Sequence, residues 1–90
     1  MAKTIEEKRM AKAQKFVTHS KTEFKKHIPR DKIKDIEITT CTPRDDAFEI
    51  TGAIGATSPT GKLKTFGYTV TVNVDEAGNA SFASLQVSEL

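Results

Sequence analysis

With one cysteine, no apolar run near the roughly 20 residues of a membrane span, and only five glycines and three prolines in 90 residues, the chain lacks the marks of several protein classes. Collagen-like, low-complexity and membrane-spanning readings fall away. Cys41 alone can neither close an intramolecular disulfide nor build a four-thiolate zinc site, which agrees with a reducing compartment. The opening Met1-Ala2-Lys3-Thr4-Ile5-Glu6-Glu7-Lys8-Arg9 carries charges where a secretory signal needs an apolar centre, so a cytoplasmic location is expected and no membrane partner. Repeats are absent too. What is present, 37% hydrophobic and 29% charged residues with a net charge of +2, fits one domain over residues 1–90. Its core is expected to be thin and two-layered, without room for a deep substrate chamber.

Thr4-Ile5-Glu6-Glu7 has the form of a capping box, in which threonine accepts from a free helical N–H and Glu7 reaches back. From there Met10, Ala13, Phe16, Val17, Ser20, Phe24 and Ile28 recur every three or four residues, one stripe of a helix expected over about 4–28. Pro29 ends it, because the residue before proline is pushed away from helical angles. The period then changes to two. Strands are expected at about 33–41, 47–57, 62–74 and 79–88. Turn chemistry separates them at Thr42-Pro43-Arg44-Asp45-Asp46, Ser58-Pro59-Thr60-Gly61 and Asp75-Glu76-Ala77-Gly78-Asn79. In the last strand the alternation slips between Phe82 and Leu85, which places a bulge near Ser84.

Such short connections favour an antiparallel meander. The fold class expected is α+β, with one N-terminal helix packed on a curved four-stranded antiparallel sheet in the order α-β-β-β-β. This arrangement resembles the layout of cystatin-like folds, by analogy of layout alone. Gly52, Gly55 and Gly67 fall inside strands, where glycine marks a bulge, a bend or close approach of another element, and here they are read as letting the sheet curl.

Motifs for chemistry are few. Gly55 to Lys62 superficially resembles a phosphate-binding loop, but five residues separate its glycines, Leu63 follows the lysine, and the segment joins two strands. A hairpin turn is the simpler reading. His19 and His27 are eight residues apart, roughly 12 Å along a helix, too far to share one ion, so neither a metal nor a cofactor is expected. Cys41 could act as a nucleophile only if histidine and a carboxylate converged on it. Asp45, Asp46, Glu49, Asp75 and Glu76 sit at turns, where acids ordinarily serve as turn formers. No catalytic residue is assigned.

Charge is more informative. Residues 1–34 hold eleven Lys/Arg against four Asp/Glu, a charge of +7, and residues 35–90 hold three against eight, −5. On the helix, Lys8, Lys12, Lys15, His19 and Lys26 fall along one line, a basic ridge able to meet an acidic protein or phosphates. No aromatic residues are interleaved for base stacking, which makes nucleic acid the second choice. The strand positions expected to face away from the helix read Thr39, Cys41, Thr51, Ala53, Thr65, Gly67, Thr69 and Thr71. This is a flat, small-sided face suited to packing against another chain. The expected function is therefore a non-catalytic protein-binding or assembly module, a homo-oligomer or the partner of another protein. It would work through Thr39, Thr51, Thr65, Thr69 and Thr71, or through the basic ridge. Nucleic-acid binding by the ridge is the alternative, and a small-ligand or catalytic role for the hollow of the sheet is the third reading.

Overall fold

The computed structural model describes residues 5–45 and 47–90, so Thr4 of the capping box and Asp46 of the first turn lie outside the described residues. Two helical segments, α1 (Ile5–Thr18) and α2 (Lys21–Lys25), precede four strands: β1 (Lys32–Arg44), β2 (Ala47–Thr57), β3 (Leu63–Val74) and β4 (Ala80–Glu89). The strands form one antiparallel sheet in chain order, with the helices on one face. No helix among the described residues is long and apolar enough to cross a membrane.

The single helix expected over 4–28 is interrupted at His19 and Ser20. Two hydroxyls account for the break: Thr18 Oγ1 donates to the Lys15 carbonyl at 3.0 Å, and Ser20 Oγ donates to that of Phe16. The Ser20 N–H consequently shifts to the Val17 carbonyl at 3.1 Å, a tighter closure that ends the α-helical turn. The apolar stripe survives the break. Ala13, Val17, Ser20, Phe24 and Ile28 are buried, and Met10 and Phe16 pack half-buried against them.

On the sheet, Phe48, Ile50, Ile54 and Ala56 of β2 and Phe66, Tyr68, Val70, Val72 and Val74 of β3 face the helices. β1 runs through Pro43 to Arg44, farther than expected, since an edge strand can carry a proline whose missing N–H faces away from the ladder. Asp45 then takes a left-handed φ of 40° at the tight turn. The other two connections share one design. Gly61 and Gly78 adopt φ near 87°, and the first residue of each loop accepts from a backbone N–H four residues on, Lys62 N to Ser58 Oγ at 3.1 Å and Asn79 N to Asp75 Oδ1 at 2.8 Å.

Strand glycines make room for crossing side chains. Tyr68 passes over Gly52, and its hydroxyl donates to the Glu37 carbonyl of β1 at 2.7 Å, so a Cβ at Gly52 would strike both the phenol and that carbonyl. The Gly55 N–H donates to Asp35 Oδ1 at 3.1 Å, bringing the carboxylate into the space a Cβ would need.

Candidate functional site

The sheet face opposite the helices is assembled by the strand register. Two slips in the β1–β2 pairing, at Lys34 and at Thr39, reset the alternation of β1. Thr39 falls in the second slip, outside the Cα pairing. Thr40 takes the outward position opposite Thr51, with which it shares a hydroxyl–hydroxyl hydrogen bond. Cys41, expected outside, pairs with Ile50 and packs against the core. Across the sheet this yields a row Thr40, Thr51, Thr69, Gln86, flanked by Ala53, Gly67 and Ser88 on one side and by Thr71 and Ser84 on the other. Thr65 lies farther along the same face of β3. Charge on this face stands at Asp35 and Glu37 of the edge strand β1 and at the pair Arg44–Glu49, 3.8 Å apart, of which Glu49 lies on β2 directly opposite Thr71.

One end of this face is apolar. Leu63 extends the outward positions of β3, and Leu90 lies over Gly67, held there by its N–H donating to the Thr65 carbonyl at 3.0 Å. These two leucines are 77% and 80% exposed, the exposed large hydrophobic residues among the described ones. Sequence reasoning missed both, although Leu63 is in phase with Thr65 and Thr69.

The basic ridge is met by the loop over 75–79. Lys8, Lys12 and Lys15 are exposed on α1, and His19 follows just past its end. Lys26 lies beyond the helix break, 3.2 Å from Glu23. Lys8, Arg9 and Lys12 line a cleft of about 400 Å³ together with Asp75, Glu76, Ala77 and Gly78. Arg9 Nη2 donates to the Val74 carbonyl, and Lys12 Nζ fills the space beside the bare Cα of Gly78. Asp75 is held below the usual carboxylate range, first by the N–H of Asn79. The upper ridge thus faces acids across the cleft, which lowers the positive potential it offers to a phosphate chain.

Other candidates remain dispersed. Burial pushes the Cys41 thiol up despite a hydrogen bond with Gln14, the reverse of what activates a nucleophile. His19 and His27 are exposed on either side of α2, and no three His, Cys, Asp or Glu residues among the described ones are grouped to hold a metal. The space between helices and sheet is filled by rings: Phe16 and Phe82 at 4.7 Å, Phe24 and Tyr68 at 4.9 Å, Phe24 and Phe82 at 6.2 Å between centroids. Burial pushes the Tyr68 phenol up to about 12. No family model matches this chain, and no curated protein or solved structure matches it either.

Proposed function

We propose that this protein is a non-catalytic binding or assembly module whose docking surface is the outer sheet face, centred on Thr51 and Thr69. One observation carries the reading: the two exposed leucines, Leu63 and Leu90, both border a face whose centre holds only Thr, Ser, Ala, Gly and Gln. A floor without charges and with an apolar end loses less on desolvation than a charged one and gains from apolar burial, in line with the depletion of charged residues at the core of protein interfaces. The occupant is a protein presenting a flat surface of its own, in the reducing interior where the free Cys41 is stable. Phosphate recognition by Lys8, Lys12 and Lys15 is the weaker reading, because Asp75 and Glu76 line the same cleft as Lys8 and Lys12.

The test is paired affinity capture from the native host. Proteins retained by the wild type and by a Lys8→Glu/Lys15→Glu variant should be lost with Thr51→Lys/Thr69→Lys. Retention by the threonine variant and loss by the lysine variant would transfer the function to the ridge.

A further inference from the structure

The sheet ends in two edges of opposite character. β1 carries Lys32, Lys34, Asp35, Glu37 and Arg44, contains Pro43, and slips register twice. Charges, proline and bulges are the devices that keep an edge strand from accepting another strand. β4 has almost none of them. It is uncharged from Ala80 through Ser88, its single slip lies at Ala83, and its one charge, Glu89, is 3.6 Å from Lys64 of the neighbouring β3. β3 pairs with one side of β4, and no described strand takes the other.

The side chains above this edge are unfinished as well. Phe82, Leu85 and Val87 are only half-buried, whereas their partners one strand inward, Val72, Val70 and Tyr68, are at most 3% exposed. Backbone and apolar side chains therefore both lack cover along one line.

We propose that β4 pairs antiparallel with β4 of a second copy of this chain, about a two-fold axis at Gln86, to give a continuous eight-stranded sheet. The occupant follows from matching edges. An open edge needs another open edge, β1 is guarded, and the remaining choice is β4 itself, which gives a closed two-fold pair instead of a growing filament. The register follows from the bulge. Residues 84–88 alternate cleanly, with Ser84, Gln86 and Ser88 outward and Leu85 and Val87 on the helix side. Centring on Gln86 sets Leu85 opposite Val87 of the second copy and Ser84 opposite its Ser88, so that each side chain meets one on its own face. Glu89 then lies opposite Ala83, and no like charges meet. The inference uses the sheet edge and stands whether or not the outer face docks a protein.

Sedimentation velocity over a wide concentration range tests it. The wild type should reach twice the mass of one chain. A variant with Ser84→Lys, Gln86→Lys and Ser88→Lys, all exposed positions, should fold with an unchanged circular dichroism spectrum yet dimerise at least about tenfold more weakly, because three like-charge pairs face each other. Mixing it with the corresponding triple glutamate variant should restore the double mass. Thr51→Lys/Thr69→Lys should dimerise as the wild type does. A monomeric wild type at the highest concentration, undiminished association of the triple lysine variant, or loss of the dimer in the threonine variant alone would each overturn the β4 pairing.

Discussion

Neighbouring residues of β2 and β3 lead opposite lives on the two faces of one sheet. Ile50, Ile54, Val70 and Val72 are fully buried beneath the helices, while Thr51, Ala53, Thr69 and Thr71, one position away, face outward half-buried or exposed. The contrast teaches where the folding energy resides. Burial of aliphatic and aromatic side chains on the helix side, worth about 25 cal/mol for each Å² of apolar surface removed from water, has no counterpart on the threonine side. The outer face therefore carries little of that energy.

Breaking the inner face should cost most. Phe24→Ala removes the ring that touches both Tyr68 and Phe82, and a loss of about 3–5 kcal/mol is expected in equilibrium urea unfolding. Gly52→Ala comes next: its methyl would displace the Tyr68 phenol and press on the Glu37 carbonyl, for a loss of about 2 kcal/mol by the same measurement. Tyr68→Phe keeps the ring and deletes one hydrogen bond, so about 1 kcal/mol should go at neutral pH.

Tyr68 also gives the contrast a pH signature. Its folded-state pKa of about 12 exceeds the ordinary value near 10, so the folded chain holds this proton more tightly than the unfolded chain. That contribution is fully present below pH 10 and is lost as pH rises from about 10 to about 12, a fall of about 2 kcal/mol relative to Tyr68→Phe. Because the sequence has one tyrosine, phenolate absorbance reports this group alone. A midpoint near 10 in the folded protein would contradict the burial assigned to it.

Much of the inner face was legible in the sequence because bulk and period coincide there. The stripe from Met10 to Ile28 and the alternation of Phe66, Tyr68, Val70 and Val72 each admit one amphipathic arrangement, and the three-residue step from Phe82 to Leu85 exposed the bulge at Ala83 within a residue. The outer face was harder to read. Ile36, Ile38 and Thr40 continue an unbroken alternation, so nothing local announces the slip at Thr39, which arises from the pairing of Ile38 and Thr40 with the consecutive residues Gly52 and Thr51 of another strand. The helix break was hidden for a related reason: Ser20 keeps the stripe's period while its hydroxyl bonds back along the chain. Contact between the ridge and the loop over 75–79 joins segments more than sixty residues apart, beyond the reach of any local pattern.

The division between the faces is tested most directly by urea unfolding of Thr51→Lys/Thr69→Lys. Both positions point away from the helices; because the two lysines stand directly opposite each other and the Thr40–Thr51 hydroxyl bond is lost, a combined loss of only about 1–2 kcal/mol is expected. A loss of about 3 kcal/mol or more, the scale of a buried-core truncation, would mean that the threonine face belongs to the fold and is not spare surface for a partner.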